Sequence, residues 1–250
     1  MSAMTPPPAA TGTHRNGHNT LDGWRSDTRV VLQPIAAPSI LGLFGFAGAT
    51  FVVAAHTARW FGTTASPEFL FPFAAVFGGV AQFAAGMWAF RARDGLATAM
   101  HGTWGSFWIA YGILLLLSAV GVLTIPAGRF TELGYWFVAL AAITLSGAVA
   151  ALAESLSLSA VLWTLTVGAA LLAVGYLTGG SGWLRGGGWV LLVSAALAWY
   201  TATAMMVEST FGRVILPLGA RRAKDPNLPP HAAHLPIEFE LGEPGVRHGQ

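Results

Sequence analysis

The sequence predicts an all-α integral membrane protein with six transmembrane helices and both termini in the cytoplasm. Three observations carry that reading. Only 10% of the 250 residues are charged while 54% are hydrophobic, against about 25% charged in an ordinary soluble domain. A chain so poor in charge cannot clothe its own surface in water, and its mean hydropathy of +0.59 makes lipid the expected solvent. Six apolar stretches also reach the roughly 20 residues that a helix needs to cross a bilayer. Finally, the basic residues are distributed unevenly about those stretches.

Residues 1–32 form a cytoplasmic tail rich in Pro, Gly, His and small polar residues, a composition that lacks fixed structure. It has no apolar core of the kind a cleavable signal needs, so the first membrane segment serves as the targeting signal. The six-helix domain covers 33–216, with spans near 36–58, 69–92, 97–122, 132–153, 157–178 and 187–209. Between Leu133 and Trp183 the sole charge is Glu154. As one helix that block would be about 75 Å long, more than twice the hydrocarbon thickness, so it must turn, and "ESLSLS" (Glu154–Ser159) is the place. The glycine-rich "TGGSGWLRGGGW" (Thr178–Trp189) reads as a flexible outer connection, and 217–250 as a second tail without fixed structure.

With six spans the termini share a side. That side holds Arg25, Arg29, Arg91, Arg93, Arg213, Arg221, Arg222 and Lys224, whereas the other holds Arg59, Arg129 and Arg185. The excess of positive charge marks the cytoplasmic face. The net charge of +2 argues against nucleic acid as a partner, and the absence of cysteine excludes disulfides, thiolate metal sites and thiol nucleophiles. No nucleophile–base constellation, zinc spacing or phosphate loop is present, and the tail histidines (His14, His18, His231, His234, His248) lack metal-site spacing. No metal, cofactor or enzymatic activity is expected.

By "APSILGLFGFAGATF" (Ala37–Phe51) and "FGGVAQFAAGMWAF" (Phe77–Phe90) the chain resembles the acetate uptake transporter family. "DGLATAMHGTWGSFW" (Asp94–Trp108) is similar to the family's third-helix start, N-T-F-G-x-T-A-x-x-S-Y-G-x-F-W. "LTVGAALLAVG" (Leu165–Gly175) and "FGRVILPLG" (Phe211–Gly219) resemble its fifth helix and C-terminal end. The family's opening motif N-P-A-P-L-G-L stands here as Ala37, Pro38, Ser39, Ile40, Leu41, Gly42 and Leu43, without its asparagine and second proline. The resemblance implies a plasma-membrane homohexamer with one pore per protomer, taking up small monocarboxylates or dicarboxylates together with protons. It also implies a hydrophobic constriction at Phe46, Trp104 and Leu165, with Trp104 in place of the usual tyrosine.

Depth along the helices agrees independently. Phe46, Trp104 and Leu165 each lie eight or nine residues inside the cytoplasmic ends of their helices, roughly 12–14 Å deep. Gln82 falls in the same layer on the second helix. An amide in hydrocarbon needs partners, so Gln82 either ties helices together or donates to a carboxyl group in the pore. His101 precedes Trp104 by three residues and shares its face. It either carries a proton or binds a carboxylate, or it is an inert residue near the inner interface.

Gly78, Gly79, Ala85 and Gly86, and a second row of Gly42, Gly45 and Gly48, read as close helix contacts. His56 suits the outer interface, Glu154 the hairpin, and Trp60, Trp88, Trp183 and Trp189 the aromatic belts. Glu208 is expected to pair with Arg213 or a loop arginine. The leading function is a transporter or channel for small carboxylic acids such as acetate, lactate or succinate. A pore for ammonia, urea or a short amide, and a structural or sensory membrane protein that lost transport, stand as alternatives.

Overall fold

A computed structural model describes residues 35–219; the tail read at 1–32 and all but the first three residues of the one read at 217–250 lie outside the described residues. Six helices follow: α1 (Pro38–Thr57), α2 (Ser66–Ala92), α3 (Gly95–Ala119), α4 (Thr131–Ala151), α5 (Leu156–Thr178) and α6 (Ser181–Phe211), each long and apolar enough to span a bilayer. Among the described residues there is no β-strand. Each helix packs on its neighbours in the chain, and α6 closes back on α1. The result is an antiparallel ring in which α3 and α4 share the thinnest of the neighbouring interfaces. The face turned outward is apolar, with Phe69, Trp88, Phe90, Tyr135 and Phe211 all more than half exposed, as a lipid-facing surface requires.

Local chemistry sets most of the boundaries. Pro38 opens α1, where its missing N–H is no loss. The Asp94 carboxylate accepts from the Ala97 amide (2.9 Å) and caps α3, and the Ser155 hydroxyl accepts from the Leu158 amide (3.2 Å) and caps α5. Gly179 and Gly212 close α5 and α6 at φ of 75° and 67°, a left-handed conformation that glycine adopts without strain. After α6 the chain doubles back as a strap. The amides of Leu156 and Ser157 donate to the carbonyls of Gly219 and Leu218 (both 3.1 Å), and the Tyr200 hydroxyl donates to the Pro217 carbonyl (2.8 Å).

Three details differ from the sequence reading. The segment "TGGSGWLRGGGW" is not a flexible connection. Helix α6 starts at Ser181, and two of its glycines admit neighbours, Gly187 meeting Leu172 and Gly188 meeting the backbone of Ala54 and Ala58, while Gly182 and Gly186 face open space. The second span is not uniformly α-helical. Pro72 removes one donor, and Ala74–Ala81 winds as a π-helix before the α-form resumes at Gln82. Gly48 has no neighbour where a Cβ would stand, so the close row on α1 is Gly42 and Gly45 alone.

Candidate functional site

Helix α1 begins and α6 ends at one end of the bundle, here the terminal end; the other is the loop end. Along the axis lie two small chambers separated by one layer of side chains. Phe46 on α1, Trp104 on α3 and Leu165 on α5 are all buried, and Trp104 and Leu165 line both chambers. The Phe46 and Trp104 rings meet edge to face, with centroids 6.2 Å apart and planes at 70°. The Trp104 indole N–H donates to the Thr144 hydroxyl of α4 (3.0 Å), which donates to the Leu140 carbonyl (2.6 Å).

The terminal-side chamber, about 40 Å³, is lined by Leu43, Gln82, His101 and Leu162 and opens toward Ser39, Asp94 and Glu154. Gln82 sits where the π-helical segment ends, so the extra residue in each π turn helps set its direction. Gly42 makes room for His101, because a Cβ there would stand 2.5 Å from the imidazole. The loop-side chamber, also about 40 Å³, is lined by Thr50, Phe107, Trp108, Tyr111 and Tyr176 and by no charged residue. Tyr111 and Tyr176 lead on to a wider vestibule of about 350 Å³, rimmed by His56, Arg59, Thr63 and Ser181. On this measure each chamber has room for only a few waters.

Polar satisfaction distinguishes this axis from the rest of the bundle. Among the described residues, four buried side-chain atoms lack a hydrogen-bond partner: Thr50 Oγ1, Gln82 Oε1, His101 Nδ1 and Trp108 Nε1. The four residues are between 2% and 5% exposed. Gln82 and His101 line the terminal-side chamber, Thr50 and Trp108 the loop-side one. Orphaned buried donors and acceptors are uncommon in proteins. Here all four border the same axis, two on each side of the apolar layer.

The structure therefore brings Phe46, Trp104, Leu165, Gln82 and His101 together. Of the opening motif, Gly42 and Leu43 reach this region, while Ala37 and Pro38 only begin α1 and Leu41 is half exposed on the outer face. Glu208 forms no ion pair with Arg213 or any other described residue. Thr50, Trp108 and Thr144 were not singled out from sequence. Trp108 was visible inside the third-helix motif, but nothing in the sequence says that its N–H lacks a partner.

Six helices, each long and apolar enough to cross a bilayer, around a chambered axis define a multi-pass membrane protein. Residues 26–218 match the GPR1/FUN34/yaaH family, and the chain belongs to it. Members of this family are transporters or channels, not enzymes. The chain is 30% identical over 187 residues to the succinate-acetate/proton symporter SatP of Escherichia coli K12, across 74% of this chain and 96% of that one. It is 30% identical over 177 residues to ammonia transport outward protein 2 of Saccharomyces cerevisiae, across 69% and 62%. To acetate permease A of Emericella nidulans it is 25% identical over 202 residues, across 76% and 67%. The solved bacterial acetate channel SatP superposes with a TM-score of 0.69 at 28% identity, across 74% of this chain and 100% of that one.

Proposed function

We propose that the protein carries small carboxylic acids, acetate foremost, across the plasma membrane along this axis, one pore per protomer, with the terminal end in the cytoplasm. The observation that carries the proposal is the set of four unpaired polar atoms flanking an apolar layer. A protonated carboxyl group offers one donor and one acceptor. Trp108 Nε1 donates, Gln82 Oε1 accepts, and the Thr50 hydroxyl and the His101 imidazole supply either role. The acid thus exchanges water for protein partners on each side of Phe46, Trp104 and Leu165. The layer itself favours the neutral acid, because taking an ionised carboxylate out of water is far costlier than taking a neutral group. Proton-linked uptake follows: the anion is gathered near Arg59 and His56, protonated, passed, and ionised again on the cytoplasmic side. The homohexamer implied by the family resemblance belongs to the same proposal.

The test is uptake of labelled acetate, lactate and succinate into proteoliposomes with and without an inward proton gradient. Acetate should enter fastest, and the gradient should accelerate it. Absence of uptake of all three would sink the reading. A second reading, passage of a small neutral base, is favoured by the similarity to an ammonia transport protein. Methylammonium flux without acetate flux in the same vesicles would establish it.

A further inference from the structure

The Trp104 side chain is held by a single directional contact, made outside the pore. Thr144 is fully buried on α4 and lines neither chamber. Its one hydroxyl proton goes to the Leu140 carbonyl at 2.6 Å, so the oxygen faces the indole N–H as an acceptor at 3.0 Å. The indole N–H can only donate, and the hydroxyl cannot turn its proton toward the indole without giving up the Leu140 bond. The aromatic neighbours of the indole meet it edge to face, Phe46 at 6.2 Å and Phe107 at 5.5 Å. Such contacts tolerate rotation, whereas a hydrogen bond in an apolar surrounding does not.

The seam around this bond adds to its weight. Along the thin α3–α4 interface Met100 packs on Gly147, Trp104 bonds to Thr144, and Phe107 meets Phe137 at 5.3 Å. Among the described residues Trp104–Thr144 is the sole side-chain hydrogen bond that crosses from α3 to α4. Were it lost, the nearest room for an unpaired indole N–H would be the two chambers the ring already borders, and the ring would turn into the route.

We propose that Thr144 is a positioning residue that fixes the aperture of the constriction through Trp104, and so sets how strongly short acids are preferred over longer ones. The inference rests on the pore reading above, and the experiment separates the two. Acetate and succinate uptake are measured in proteoliposomes carrying wild type, Thr144→Val, Thr144→Ser, Trp104→Phe and the Trp104→Phe/Thr144→Val double variant. Valine keeps the shape and removes the acceptor; serine keeps the acceptor. The succinate-to-acetate ratio should rise roughly five-fold in Thr144→Val, the value of one ordinary hydrogen bond, and return in Thr144→Ser. In the Trp104→Phe background, which has no N–H to hold, Thr144→Val should change the ratio no further.

The same proteins labelled with 5-fluorotryptophan give a readout that does not depend on transport. The fluorine resonance missing from Trp104→Phe is that of Trp104; it should shift in Thr144→Val and return in Thr144→Ser. An unmoved resonance, or an equal rise in ratio with and without the indole, overturns the proposal. If wild type takes up neither acid, the pore reading fails and the resonance alone decides the positioning role. Thr144→Ala replaces Thr144→Val if valine lowers the folded yield.

Discussion

The α1–α3 half and the α4–α6 half of the ring are both apolar, but they differ in how closely backbone approaches backbone within them. Within the first half three glycines first meet the backbone of a neighbouring helix, whereas Gly42, Gly78, Gly79 and Gly112 first meet side chains. A Cβ on Gly86 would stand 2.6 Å from the Gly102 amide nitrogen, one on Gly105 would stand 2.5 Å from that of Phe83, and one on Gly45 would strike the Phe77 carbonyl oxygen. In the second half Gly134, Gly168 and Gly175 first meet the ends of Leu177, Leu191 and Leu184. Polar groups divide the same way. All four unpaired buried atoms belong to α1–α3. In α4–α6 Thr144, Ser159 and Ser194 each donate to a carbonyl, of Leu140, Ala148 and Val161. The half in which backbone meets backbone is also the half that leaves donors and acceptors open; in the proposed pore these atoms would meet the solute on a rigid frame. The second half acts as a satisfied scaffold.

The sharpest way to break this comparison is a matched pair of methyl groups. Gly86→Ala pushes on backbone and should lower stability by about 1–3 kcal/mol, read as a fall in the thermal midpoint of the purified protein. Gly168→Ala pushes on the tip of Leu191 and gains helix propensity, so it should stay within about 1 kcal/mol of wild type. Equal midpoints for the two would dissolve the distinction.

Next in size is Gln82→Leu, which keeps the volume and removes the amide. Loss of at most one interhelical bond, about 1 kcal/mol, leaves the protein folded, while acetate uptake should fall several-fold. Unchanged uptake would make Gln82 structural. Trp104→Tyr tests the layer itself. The smaller phenol should raise succinate relative to acetate by a few-fold, and a constant ratio would remove Trp104 from the selectivity account. The smallest effects should come from Thr50→Val and Ser194→Ala. The first breaks no protein hydrogen bond and should slow uptake at unaltered stability. The second gives up the bond to Val161, about 1 kcal/mol, and should leave uptake as it was.

The helices were legible because lipid imposes length and hydropathy on every span. The start of α6 was misread because glycine density marks a loop in water, whereas beside a neighbouring helix it marks close approach, as at Gly188 against Ala54 and Ala58. The π-helical turn of α2 left no trace in "AAVFGGVA", an apolar run that suits either winding. For the site, motif and depth together indicated Phe46, Trp104 and Leu165, and the isolation of Gln82 in hydrocarbon indicated a polar role. Thr50, Trp108 and Thr144 stayed hidden for one reason. Whether a hydroxyl or indole is paired depends on a helix distant in the chain, and "ITLSG" around Thr144 looks like any other membrane segment.

The strap after α6 bears on how the molecule is made. The first amides of a helix have no partner within it, and those of Leu156 and Ser157 at the start of α5 are satisfied by carbonyls of Leu218 and Gly219. Leu218 and Gly219 leave the ribosome roughly sixty positions after Leu156 and Ser157, whose amides they satisfy. The hairpin between α4 and α5 is therefore completed only when the segment after α6 is in place. A truncation just past Phe211 would keep all six spans and leave the amides of Leu156 and Ser157 and the Tyr200 hydroxyl without these partners.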